Sequence, residues 1–436
     1  MKYASLNNTH KGQNPVSFQE ALVKGLAEDK GLYFPTAIPQ LDPEFTHNLP
    51  AYSKAEIAYR VIAPFIGEEI PEDTLRQIVS ETLAFDIPLV HLNDTYSSLE
   101  LFHGPTMAFK DVGARFMARC LGYFNREKKN RTVRVLVATS GDTGGAVANG
   151  FLNVPGVEVV ILYPEGKVSD IQERQLTTLG ANIKALRVKG DFDACQRMVK
   201  TAFLDEEIDH LNLTSANSIN VARWLPQMFY YFLAVRQLQQ EGNNKPALFS
   251  VPSGNFGNIC AGIMSYRMGL PMKHFVAATN VNDTIPRYMA TGNYAPKSTV
   301  PTIANAMDVS DPSNFIRIEA LFRETPEQLR QHFSSYSFND RETREAMKTL
   351  KDDFGYIADP HGAIGYLGAE KKLPEYKGYK AIFLETAHPA KFKDEVETTL
   401  GIRIDLPPQL QAVMHREKEY ATIATYDELK DFLGAL

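Results

Sequence analysis

Twice in this 436-residue chain a short run of sheet-forming apolar residues stops at a glycine-rich turn, and a helical pattern begins at once. Residues 133–138 lead into Thr139-Ser140-Gly141-Asp142-Thr143-Gly144-Gly145, and residues 247–252 lead into Ser253-Gly254-Asn255-Phe256-Gly257-Asn258. Further strand-like runs at 157–163, 183–188, 275–279 and 379–386 alternate with helical patterns at 112–124, 144–152, 168–179 and 193–203, and with a long one at 219–240. Strands alternating with helices make βαβ units and a mostly parallel sheet. Near-continuous Val/Ile/Leu strands fit a sheet covered on both faces. The expected fold class is α/β, with two open, mostly parallel-sheet α/β domains and an additional N-terminal helical region.

The polar break at 241–246 separates the two series, so the domains are expected at 97–244 and 245–436. The second contains a polar, turn-rich stretch at 284–345, read as an insertion or lid-bearing region. Residues 1–96 carry helical patterns at 17–27, 55–65 and 71–85 with prolines between them. Beyond Pro407-Pro408 a charged tail reads as helical.

A strand, a glycine-rich turn and a helix in that order aim backbone N–H groups and the helix dipole at one point, where an anion binds. Such ligands lie beyond the carboxyl ends of the strands. Neither loop is GxGxxG or GxxxxGK[ST], so a dinucleotide or P-loop reading fails. A tight βα turn without ligand is the plainer reading of either loop alone. Two of them suggest a ligand with two anionic groups. A third polar stretch, Ser215-Ala216-Asn217-Ser218-Ile219-Asn220-Val221-Ala222-Arg223, opens another helical pattern. Ser218 reads as an N-cap or an anion donor, and Arg223 as a surface pair or a phosphate fork.

The net charge of -6 gives no nucleic-acid or membrane footprint. No run of about 18 apolar residues occurs, so no transmembrane helix is expected. Three scattered cysteines, Cys120, Cys195 and Cys260, make neither a metal cluster nor a disulfide framework; they fit core packing in a reducing cytosol. No secretory h-region is present at the N-terminus, so a cytoplasmic location is expected.

Lys110 ends the stretch His103-Gly104-Pro105-Thr106-Met107-Ala108-Phe109, just before the 112–124 helical pattern. Desolvation and the positive end of a helix both favour its neutral amine, so it is either a snorkelling lysine or a nucleophile. Thr386 and His388 follow the apolar run 381–384, where Thr386 is a ring-nitrogen partner or a turn former, and a lone histidine is more often structural. An amine, an anion loop and a hydroxyl at a strand end are what pyridoxal phosphate requires.

Seven motifs turn that fit into a resemblance: HGPTMAFKD (103–111), ATSGDTGGAVA (138–148), SANSINVAR (215–223), SVPSGNFGN (250–258), ATNVNDTIPR (278–287), NAMDVSDPSN (305–314) and ETAHPAKF (385–392). Through them the chain resembles the tryptophan-synthase-β-like, fold type II family of pyridoxal-phosphate enzymes. KGLAEDKGLYFP (24–35) resembles the N-terminal region of the longer bacterial and fungal members. The resemblance implies that Lys110 binds the cofactor aldehyde, that Gly254, Asn255, Phe256, Gly257 and Asn258 hold its phosphate, and that Thr386 faces its pyridine nitrogen. Asp142 would sit near the cofactor 3′ oxygen, where many relatives have Asn. Ser140, Gly141 and Thr143 would bind the substrate carboxylate, and Asn217, Ser218 and Arg223 the substrate phosphate. The implied reaction turns O-phospho-L-homoserine and water into L-threonine and phosphate, with Lys110 carrying the α and β protons. No metal, nucleic acid or membrane enters, and the enzyme would be a monomer or homodimer. The rivals are a serine or threonine dehydratase on the same fold, which needs no substrate-phosphate site, and a non-catalytic binding module.

Overall fold

The computed structural model describes residues 1–7, 14–126, 132–323 and 326–436. Contacts divide them into two units, each made of several chain segments. The larger comprises Met1, Phe34–Phe109 and Trp224–Asp405; the smaller comprises Lys2–Tyr33, Lys110–Arg223 and Leu406–Leu436. These units cut across the three stretches 1–96, 97–244 and 245–436 expected from the sequence. The physical reason is strand pairing: Tyr96–Glu100 adds to the sheet of the larger unit beside Ala381–Glu385, and Ala421–Ile423 adds to that of the smaller unit beside Ile183–Val188.

The larger unit is built on a six-stranded sheet in the order Phe333–Ser337, Met272–Thr279, Ala247–Pro252, Ala381–Glu385, Tyr96–Glu100, Leu89–His91. Every pair is parallel except the last. The two central strands, 247–252 and 381–385, are buried along their whole length, so their apolar runs are covered on both faces. Helix Pro360–Lys372 packs closely on them. A Cβ at Gly368 would lie 2.5 Å from Ser250 Oγ and 2.8 Å from Ala278 Cβ, and Ser250 Oγ donates to the Gly365 carbonyl at 2.6 Å. Leu248, Val276, Met347, Leu350, Phe383 and Val396 fill the core around this contact.

The smaller unit holds a five-stranded, wholly parallel sheet in the order Ala421–Ile423, Ile183–Val188, Val157–Pro164, Val133–Ala138, Leu213–Ser215. Leu136, Val160, Leu186, Cys195, Val199 and Leu429 form its core. All three cysteines are buried and free. The two open, mostly parallel sheets are what the strand–helix alternation predicts.

The differences have local causes. The helical pattern at 219–240 is broken into Val221–Trp224, a 3-10 turn Leu225–Gln227 and Met228–Gln240, because Pro226 lacks an N–H and resists a helix interior. The N-terminal helices are Phe18–Lys24, Lys54–Ile66 and Glu72–Thr82, but strand Leu89–His91 lies beside them in the sequence. Phe333–Ser337, within the stretch read as an insertion, is an edge strand whose serines hide its period. The C-terminal tail includes the three-residue strand Ala421–Ile423 besides its helices.

Gly368→Val places a branched side chain in the helix–sheet contact. It is expected to destabilise the protein by about 1–3 kcal/mol, read as a lower urea midpoint. An unchanged midpoint would show that the helix is not seated as described.

Candidate active site

In the larger unit, three strand ends carry polar groups: Ser253 after 247–252, Asn280 after 272–279 and Thr386 after 381–385. The Ser253 N–H donates to the Ala278 carbonyl at 2.8 Å, which starts the glycine-rich loop at the sheet edge. Gly254 is required there, since a Cβ would lie 2.9 Å from Met307 Cα. Phe256 adopts φ 61°, ψ 8°, the left-handed region, and opens helix Gly257–Arg267 with no side-chain cap. The first N–H groups of that helix are therefore left for an anion. Asn258 is buried; its Oδ1 accepts from the Tyr231 hydroxyl at 2.8 Å, and its Nδ2 is buried without a protein partner.

The HGPTMAFKD and ETAHPAKF motifs meet in the same unit. Ala108 bridges Ala387 in antiparallel fashion, the Phe109 N–H donates to the Thr386 carbonyl at 2.9 Å, and the His388 N–H donates to the Met107 carbonyl at 3.1 Å. Lys391 Nζ, buried, donates to the Thr106 carbonyl at 2.9 Å. Lys110 is the next residue along the chain and the first of helix Lys110–Arg126 in the smaller unit. His388 is a cap: its Nδ1 accepts from the Ala390 N–H at 3.1 Å, and burial holds its pKa down to about 4, so the ring is neutral.

In the smaller unit, Gly141 sits at φ 133°, ψ -81°, and a Cβ there would lie 2.5 Å from Gln172 Cδ. Thr139 Oγ1 accepts from the N–H groups of Gly141 and Gly144 at 2.9 and 2.8 Å, shaping the loop from inside. Ser140 and Thr143 are half-buried. Asp142 is buried at the start of helix Asp142–Phe151, and its Oδ1 accepts from Gln172 Nε2 at 3.1 Å. Gln172 is itself fixed by a capping box with Ser169. The Ser169-x-x-Gln172 spacing is legible as a cap; its second task, steering the Asp142 carboxylate, is not.

Asn217 Nδ2 donates to the Ala138 carbonyl at 3.0 Å, and its N–H donates to Ser215 Oγ at 3.2 Å. That brings Asn217 and Ser218 to the end of strand Val133–Ala138, where the 139–145 loop begins. Arg223 is buried, with Nη1 donating to the Ala216 carbonyl. Desolvation lowers its pKa to about 10, opposed by the buried Asp111 carboxylate in the first turn of the Lys110 helix. A Cβ at Gly113 would collide with the Arg223 backbone, so this helix and the 215–223 stretch are in close contact.

One group of residues behind Thr386 escaped sequence reasoning. Glu385 is fully buried: its Oε1 accepts from the Asp359 N–H at 2.7 Å, and its Oε2 has no protein partner. Asp359 Oδ2 lies 2.5 Å from His361 Nδ1, and Asp359 Oδ1 accepts from the Gly362 N–H at 2.8 Å. Burial first, then the Asp359 charge, push the Glu385 carboxyl well above the ordinary carboxylate range. Asp359-Pro360 gave only a helix-start signal, and Glu385 looked like the end of a strand.

The two α/β units, with glycine-rich loops at their strand ends and Lys110 opening a helix, define a fold type II pyridoxal-phosphate enzyme. A family model for pyridoxal-phosphate dependent enzymes matches residues 84–385, one for the threonine synthase N terminus residues 2–83, and one for the threonine synthase C-terminal region residues 362–433. Threonine synthase of Serratia marcescens is 45% identical over 433 residues, covering 99% of each chain. The solved Escherichia coli threonine synthase superposes with a TM-score of 0.92 at 42% identity over the whole of both chains. Pyridoxal-phosphate-bound threonine synthase of Brucella melitensis gives 0.91 at 35%, covering 99% of this chain and 98% of the other. The chain belongs to the threonine synthase family. It is a pyridoxal-phosphate-dependent lyase of threonine biosynthesis.

The residues present suit that cofactor. Within the larger unit, a phosphate would meet the uncapped start of helix 257–267 and Asn258 Nδ2, which is buried without a partner among the described residues. No helix among the described residues is long and apolar enough to cross a membrane.

Glu385→Gln tests the raised carboxyl pKa, since an amide of similar shape carries no charge at any pH. The folded-state pKa is raised, so the stability linked to this proton is full below the ordinary value of 4.5 and declines as pH rises toward the raised value. The variant should match the parent in urea midpoint near pH 5 and become relatively more stable toward pH 9. A variant that loses stability as pH rises would show Glu385 ionised in the native state.

Proposed function

We propose that the enzyme converts O-phospho-L-homoserine and water into L-threonine and phosphate, as the last step of threonine biosynthesis. The observation that carries this reading is a second set of polar and cationic groups suited to an anion, separate in sequence from the 254–258 loop. It consists of Asn217, Ser218 and the buried Arg223, held at the end of strand Val133–Ala138. A dehydratase acting on serine or threonine has no use for it.

When bound, pyridoxal phosphate supplies an electron sink that acidifies the α and then the β protons of the substrate. Gly254, Asn255, Phe256, Gly257 and Asn258 would hold its phosphate, and the Thr386 hydroxyl would serve as partner to its pyridine nitrogen. Lys110 anchors it and serves as the base that moves the α and β protons. Asp142, steered by Gln172, would sit near the 3′ oxygen, where a shared proton would relieve repulsion. Ser140, Gly141 and Thr143 bind the substrate carboxylate at the start of helix Asp142–Phe151, where the dipole favours an anion. Asn217, Ser218 and Arg223 bind the substrate phosphate, for which the guanidinium supplies matching donors. The partners are this small substrate and water, without nucleic acid or membrane. The enzyme is a monomer or homodimer in the cytoplasm, a location in keeping with three free, buried thiols.

Incubation with O-phospho-L-homoserine should yield threonine and phosphate in equal amounts, while L-serine yields little keto acid. Phosphate release without threonine would overturn the assignment. Lys110→Ala should lower threonine formation by about 10³-fold, and a near-normal rate would remove Lys110 from the chemistry. Arg223→Lys keeps the charge but loses the fork, so it should raise KM for the phosphorylated substrate by about tenfold. An unchanged KM would place the substrate phosphate elsewhere.

A further inference from the structure

The loop assigned to the cofactor phosphate is held from behind by a second motif. The Asn255 carbonyl accepts two hydrogen bonds from Asn314, from its N–H at 3.2 Å and from its Nδ2 at 3.0 Å. In a planar trans peptide the carbonyl and the following N–H point in opposite directions. Drawing the Asn255 carbonyl toward Asn314 therefore turns the Phe256 N–H away from Asn314. Phe256 is held in the left-handed region, which a non-glycine residue adopts only when its surroundings enforce it. Its ring is also braced edge-on against Phe315 at 5.9 Å.

Asn314 has two faces, and its amide could in principle be reversed. Arg317 decides between them. Its Nη1 lies 2.6 Å from Asn314 Oδ1, and a guanidinium has only donors, so it can meet only the amide oxygen. The amide nitrogen is thereby left facing Asn255. Arg317 is completely buried, 5.0 Å above the ring of Trp224, which stacks on Phe34 at 6.1 Å. Burial lowers its pKa to about 9, so it is still a cation at pH 7. It lies within electrostatic reach of Cys260, in the helix that the loop opens. A buried positive charge beside that helix raises the potential felt by an anion at its start.

We propose that Arg317 and Asn314 form a positioning pair that orients the 254–258 backbone and gives the enzyme its selectivity for the phosphorylated form of its cofactor. Neither residue touches the phosphate; Asn314 turns the peptide, and Arg317 fixes Asn314 and adds charge. The inference rests on the reading of 254–258 as the phosphate loop.

The test compares dissociation constants of pyridoxal phosphate and of pyridoxal, which lacks the phosphate, for the full-length protein. The readout is cofactor absorbance retained after equilibrium dialysis. Asn314→Asp is nearly isosteric and pairs well with Arg317, so it should fold; it removes the amide donor and neutralises the guanidinium. Arg317→Met removes the charge at similar volume. Each should weaken pyridoxal phosphate by about tenfold or more and leave pyridoxal unchanged. The double variant should be no weaker than the worse single, because both act along one path. Asn258→Ala serves as the control on the loop itself. If the parent prefers pyridoxal phosphate and Asn258→Ala weakens it, but Asn314→Asp and Arg317→Met keep the parental ratio, the positioning pair is refuted alone. If the parent does not distinguish the two ligands and Asn258→Ala changes nothing, the phosphate-loop reading falls and takes the inference with it.

Discussion

Two backbone hydrogen bonds, Phe109 N–H to Thr386 and His388 N–H to Met107, make a short antiparallel pairing on which the site depends. They fasten the segment before Lys110 to the carboxyl end of strand 381–385, next to the loop-bearing strand 247–252. Backbone bonds at a strand end are insensitive to side-chain identity. The register is then set by packing of Ala108 and Ala387, which are both buried and small enough for the chains to approach.

In each unit, buried charged groups are held by fixed partners. Asp142 is steered by Gln172, Arg317 by Asn314 and Arg223 by the Ala216 carbonyl and the Asp111 charge. Glu385 is the exception that clarifies the rule. Behind Thr386, burial and the neighbouring Asp359 charge hold its carboxyl well above the ordinary carboxylate range. Polar groups fixed before a ligand arrives need not reorganise when it does, which is the usual source of electrostatic catalysis.

How much of this was legible follows from the range of each interaction. The alternation of apolar strands with helices gave two parallel sheets, and Gly141, Gly254 and the helix start at Lys110 were visible in local pattern. Arg223, by contrast, could be read as a surface pair until the structure showed it buried. The Glu385–Asp359–His361 group and the Arg317–Asn314–Asn255 chain were invisible, because their members lie in different elements and each has an ordinary local reading. Short strands such as Leu213–Ser215 and Ala421–Ile423 carry too few residues to show a period. Domain organisation was hidden for a similar reason: apart from Leu89–His91, Tyr96–Glu100 joins a sheet whose strands are far away in sequence.

We propose that Lys110, directly after the pairing at 107–109, is the lysine that takes the cofactor aldehyde. A buried lysine, Lys391, lies in the same motif pair, bonded to the Thr106 carbonyl, and supplies the natural alternative to the half-buried Lys110. Borohydride reduction of the holoenzyme followed by peptide mass mapping distinguishes them. The account predicts the reduced cofactor on the peptide containing Lys110 and on no other lysine. A cofactor adduct on Lys391, with Lys110 unmodified, would contradict it.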